Sequence, residues 1–297
     1  MGAFMDSNQN VYVADYKNNR VQEWPLNWSY VSPYTVAGRA SGDYGTGAMY
    51  LRGPTAVSLD ASGNVYVLDQ ENRRVQKWAP GATSGTTVAG SEMGTALREL
   101  NVPYGMYVEP TTSIIYVADS GNNRILKYFP GSMTGTAVAG NSSGWYGVTA
   151  DTLSFPWSVV VDSSGTIYVS DTHNHRVQKY LAGSLVGTTV AGQSSGVSGS
   201  SNIHLNFPKT VTLDAEGNLY VLDYGNQRIQ RFARNNLIGT TVFSWCSGRA
   251  SDQIHTPSHM TLDTFGNLII TDSYNYRVQK YLLTCGMYKN KSQLDDE

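Results

Sequence analysis

Cysteine, charge and long apolar runs are all scarce in this chain. Its 297 residues include two cysteines, Cys246 and Cys285, which allow one intramolecular bridge at most and fit either redox compartment. Only 15% of residues are charged and the formal net charge is −2, so no chain-wide field draws the protein to nucleic acid or to an anionic membrane. No stretch approaches the roughly 18 consecutive apolar residues that a membrane helix needs. The opening MGAFMDSNQN has neither the basic nor the apolar region of a secretory signal, so no address is read from it. Triplets of the glycosylation type at Asn27, Asn141 and Asn290 are about as frequent as chance provides in a chain rich in Asn, Ser and Thr. What is plentiful is glycine (30) and tyrosine (20), with an ordinary hydrophobic fraction of 40%, a composition that suits many short strands and tight turns.

Self-similarity organises the rest. The segments VYVADYKNNRVQEW, VYVLDQENRRVQKW, IYVADSGNNRILKY, IYVSDTHNHRVQKY, LYVLDYGNQRIQRF and LIITDSYNYRVQKY align without a gap. Their arginines, Arg20, Arg74, Arg124, Arg176, Arg228 and Arg277, are spaced by 54, 50, 52, 52 and 49 residues. Each unit reads as four strands. Strand a is of the form PTAVSLD or PKTVTLD, and a Gly-Asn turn leads to the alternating strand b. An Asp-x-x-Asn-x-Arg hairpin then leads to strand c, and a GTTVAG-type strand d closes the unit. Such a sheet has two apolar faces that only neighbouring units can cover, which predicts an all-β, six-bladed propeller of four-stranded antiparallel blades. The predicted blades span about 1–38, 54–90, 103–140, 156–192, 208–245 and 257–285, followed by a polar tail at 286–297. The last blade is expected to lack a GTTVAG-type outer strand, and the first begins abruptly, as in a piece of a longer protein. In a four-stranded meander the long d-to-a connections and the b-to-c hairpins share one rim, the usual place for function on a rigid scaffold.

The repeated YVAD-x-x-Asn-x-RVQ-x-aromatic segment, with its upstream Pro and Asp, resembles the NHL repeat. The resemblance spans nearly the whole chain and is specific for fold. For activity it is permissive, because the family includes RNA-binding and protein-binding propellers, extracellular sensor domains and a peptidyl-hydroxyglycine amidating lyase.

The residues themselves point away from catalysis. Sixfold repetition of the hairpin Asp, Asn and Arg argues for a structural role. The carboxylates closing strand a (Asp60, Glu109, Asp162, Asp214 and Asp263) read as turn formers. A zinc site needs several convergent imidazoles, whereas only His259 holds an inward position, its equivalents being Ala56, Gly105, Ser158 and Thr210. No Gly-x-Ser-x-Gly elbow is present.

The expectation is therefore a non-catalytic recognition module, with no metal and no cofactor, which presents its long-loop rim and channel mouth to a protein or small ligand. Candidate contacts are Thr55, Tyr104, Trp157, Lys209, Ser258 and His259 around the mouth, and the loop aromatics Tyr44, Tyr50, Trp145 and Tyr146. The alternatives are a metal-dependent propeller enzyme, like the amidating lyase or a lactonase, and an RNA-binding domain. Nucleic acid is disfavoured because the cations are scattered. A monomeric domain of a larger protein is expected, without membrane insertion. Cys246 and Cys285 fall near the seam of the ring's last blade, where they are either bridged or two unrelated thiols, and a bridge there would favour an extracellular location.

Overall fold

In the computed structural model, which describes residues 2–25, 32–284 and 287–290, every repeat folds into one antiparallel sheet whose strands follow chain order from the axis outward. Six four-stranded sheets result, and the fold is the six-bladed propeller that the period predicts. The innermost strands are Ala3–Met5, Pro54–Leu59, Met106–Val108, Pro156–Val161, Pro208–Leu213 and Pro257–Leu262. Each touches the next around the axis, and the first touches the last, which closes the ring. No helix among the described residues is long and apolar enough to cross a membrane.

The b-to-c hairpin shows why the repeat is kept. A single 3-10 turn such as Thr172–Asn174 follows the Asp, and a left-handed residue (Asn19, Arg73, Asn123, His175, Gln227 or Tyr276) delivers the chain into strand c. In blade 4, Asp171 Oδ2 accepts from Asn174 Nδ2 at 2.8 Å and from Arg176 Nε at 2.8 Å. Its Oδ1 accepts from the backbone N–H of Ser154, in the d-to-a connection, at 2.6 Å. The guanidinium continues to the carbonyl oxygens of Val148 and Thr149. One carboxylate and one guanidinium thus tie the long loop to the hairpin on the same rim, through charge-assisted bonds.

Apolar packing runs between blades. Five clusters fill the five interfaces from blades 1 and 2 to blades 5 and 6. The aromatic residue of strand c is the centrepiece: Trp78, Tyr128, Tyr180, Phe232 and Tyr281 are all essentially inaccessible to water. Burying a ring of this size stabilises by about 1.5–3 kcal/mol. In blade 1 the equivalent ring, Trp24, is 39% exposed.

Its neighbour explains the difference. Blade 6 has no GTTVAG-type outer strand; strand c runs on to Thr284, and Met287–Asn290 turns back to pair with Tyr281–Thr284. In blade 4, by contrast, the outer strand pairs with Arg176–Lys179. Among the described residues nothing pairs with the outer side of Arg277–Lys280, no apolar cluster fills the interface between blades 6 and 1, and a cavity of about 880 Å³ lies there. Cys246 is exposed; the bridge to Cys285 falls on a residue outside those described.

Candidate functional site: the channel mouth

The inner strands enclose a cavity of about 470 Å³ at the mouth of the axial channel. Thr55, Tyr104, Trp157, Lys209, Ser258 and His259 all line it, because the residues just after the strand-a start recur at the same height in successive blades. Tyr44, Tyr50, Trp145 and Tyr146 do not. Trp145 and Tyr146 are 73% and 77% exposed on an outer loop, while Arg52 and Arg39 lie over the rings of Tyr44 and Tyr50.

The waist of the channel is set by small residues. Gly2 and Gly105 occupy the inward position that His259 holds in blade 6, and a Cβ on either would stand 2.6 Å or 2.4 Å from a carbonyl oxygen of the neighbouring blade. His259 is the one large group at this level. Burial within the channel wall pulls its pKa down to about 4, so the imidazole is neutral at neutral pH. Its backbone N–H donates to Thr271 Oγ1 at 2.9 Å, while its Nδ1 has no partner among the described residues. Thr55 Oγ1, across the mouth, is likewise buried without one.

Lys209 is the other reactive group. Its ammonium lies 3.4 Å from the centre of the Tyr224 ring and 4.9 Å from that of Trp157. Nζ also approaches Pro257 O at 3.5 Å. With no carboxylate beside it among the described residues, burial pulls its pKa down to about 8, so roughly one-tenth is free amine at pH 7. Trp157 in turn stacks on Tyr104 at 4.1 Å and 15°. Ser258 Oγ and Ser273 Oγ are 2.5 Å apart and complete the wall.

Sequence reasoning missed Tyr224 and Tyr16. Both directly follow a hairpin Asp, a position read as part of a turn; the succession Tyr16, Gln70, Ser120, Thr172, Tyr224 and Ser273 was the available signal. Four of these six reach the mouth, where Tyr16 Oη donates to Glu71 Oε1 at 2.8 Å, and burial pushes its pKa up to about 12. The hairpin carboxylates, by contrast, are consumed by their Asn and Arg partners.

The family model of the NHL repeat matches residues 153–180 and 205–232, which are the cores of blades 4 and 5. The chain is an NHL-repeat propeller. No curated protein matches the sequence. Among solved structures the NHL propeller is similar to an inactive His-to-Ala form of virginiamycin B lyase from Staphylococcus aureus, solved with quinupristin (12% identity, 97% of this chain and 82% of that one, TM-score 0.61). It is also similar to a gluconolactonase from Xanthomonas campestris (14%, 91% and 82%, 0.63) and to an auxiliary nutrient-binding protein from Bacteroides ovatus (15%, 93% and 67%, 0.65).

These likenesses overturn the expectation of a non-catalytic module and of a chain that is not an enzyme. Lyases and a lactonase stand among the similar propellers, so the architecture is one on which catalysis is carried. Convergent imidazoles and a nucleophile elbow were the two catalytic templates weighed from the sequence, and the mouth follows neither. Inner-strand residues about 50 positions apart meet at the mouth of an NHL propeller, and no short pattern records that meeting. A metal site does not fit this wall: among the described residues no group of three or more His, Cys, Asp and Glu is placed to hold an ion.

Proposed function

We propose that the protein is a propeller enzyme of the lyase or lactonase kind, acting on a small carbonyl compound at the channel mouth by side-chain acid–base chemistry. The observation that carries this reading is the Lys209 amine, held without a carboxylate partner between Trp157 and Tyr224, with a pKa of about 8. A base poised near the working pH is what proton transfer from carbon or water requires. In a lyase step the free amine takes the proton on the carbon next to the carbonyl, that electron pair forms a C=C bond as the adjacent carbon–heteroatom bond breaks with its own pair, and the ammonium protonates the leaving group. In a lactonase step the amine takes a proton from water as its oxygen bonds the carbonyl carbon, the ring C–O bond breaks, and the ammonium protonates the alkoxide.

His259 and Thr55 have distinct parts. Their unpartnered Nδ1 and Oγ1 offer hydrogen bonds to the substrate, and the imidazole adds no second positive charge that would depress Lys209 further. That the lyase with quinupristin is described as inactive once a histidine is replaced by alanine supports a part for an imidazole in a propeller of this kind.

Purified protein incubated with quinupristin and with a panel of sugar and aliphatic lactones should open at least one ring, read by mass spectrometry and ultraviolet absorbance. Lys209→Met should lower the rate about a hundredfold or more. Failure to open any ring, or full activity in Lys209→Met, overturns the reading.

A further inference from the structure

A second feature of the mouth is its extension onto the rim between blades 4 and 5. The residue just before strand a lies in the left-handed region in five blades: Gly53, Val102, Phe155, Phe207 and Thr256, with φ between 45° and 56°. The position therefore accepts residues from Gly to Phe, and nothing in the blade demands a ring there. Only blades 4 and 5 carry one.

Both rings are organised by blade 4. Phe155 stacks on His173 at 4.8 Å and 10°, and Phe207 meets His173 and His175 edge-on at 5.9 Å and 4.5 Å. The backbone N–H of Phe207 donates to His175 Nδ1 at 3.0 Å, where blades 1 and 3 use an Asn carbonyl for the same bond. Phe155 also lies 6.5 Å from Trp157, which joins this row of rings to the channel mouth. Phe207 remains 44% exposed. It stands two residues before Lys209 in the chain.

We propose that Phe155, His173 and Phe207 form a stacking shelf that binds an uncharged aromatic ring of the substrate beside the carbon that meets Lys209. This deepens the enzymatic reading and rests on it for the word substrate, but ring binding is measurable without turnover. A sugar ring is disfavoured because the carboxylates nearest the shelf, Asp171 and Asp223, are fully buried and bonded to Arg176 and Arg228. Nucleic acid is disfavoured for the same reason: those two arginines are spent internally, which leaves Lys209 as the cation at the mouth beside the shelf.

The test is ligand-observed NMR with N-acetylphenylalanine amide, against its cyclohexylalanine analogue, methyl glucoside and a short single-stranded RNA. The aromatic amide should bind best. Phe155→Val combined with Phe207→Thr places the residues of blades 3 and 6 at these positions, and should weaken binding about tenfold with an unchanged melting temperature. Lys209→Met should still bind the ring, so a failed enzymatic reading leaves the shelf standing and the reverse is equally visible. Equal binding of the cyclohexyl analogue, stronger binding of methyl glucoside or RNA, or unchanged binding in the double variant overturns the proposal.

Discussion

Two groups at the mouth, Lys209 and His259, have their pKa lowered, with burial the leading cause for both. For Lys209 the consequence is nucleophilic and basic character near neutrality. For His259 it is a cost in acid. Its pKa of about 4 in the folded protein lies below the ordinary 6.5, so between these values the unfolded chain binds the proton and the folded one resists it. Stability is then fully retained above pH 6.5, falls as the pH drops toward 4, and levels off below. The ceiling is about 3 kcal/mol, reduced to about 1–2 kcal/mol because the channel admits water. His259→Thr, which copies blade 5, should flatten this part of the profile when urea midpoints are compared at pH 7 and pH 4.5. Identical pH dependence in the two proteins would show that the imidazole is not the group responsible.

At the scale of the element, the hairpin tie differs in strength around the ring. The Arg124–Asp119 and Arg176–Asp171 pairs are 0–2% exposed, whereas Arg20 and Asp15 are 26% and 24% exposed and 3.3 Å apart. Removing one partner of a buried pair strands a charge. Arg124→Met should therefore cost about 3–5 kcal/mol and Arg20→Met about 1 kcal/mol or less, measured by urea unfolding; equal costs would mean that the ties are interchangeable. This motif was the most legible part of the chain, because its Asp, Asn and Arg contact one another within six residues and leave the same trace six times. The partners of Lys209 were not legible. Tyr224 is 15 residues away and Trp157 a whole blade away, and their meeting depends on the angle at which adjacent sheets pack. Likewise, Phe155 and Phe207 read as loop residues; only the backbone angle turns their rings toward His173.

Across the whole molecule, one joint differs from the other five. Among the described residues, the unpaired edge at Arg277–Lys280, the exposed Trp24 and the cavity between blades 6 and 1 have a common origin in the short pairing of Met287–Asn290. Even the hairpin arginines follow it: Arg20 and Arg277, which flank the joint, are 26% and 29% exposed, against 0–12% elsewhere. Amide hydrogens along Arg277–Lys280 should exchange faster than those of Arg176–Lys179, detected by mass spectrometry after peptic digestion. Equal protection would mean that this edge is covered in solution. Among the described residues, the inner-strand contact between Ala3–Met5 and Pro257–Leu262 and the reach of Lys17 Nζ to Tyr276 Oη join the two sides. Tension applied to the two ends of the polypeptide would consequently load this junction before any other. The ring would part there like a split washer, and blades 2 to 5, with both flanks filled, would yield last.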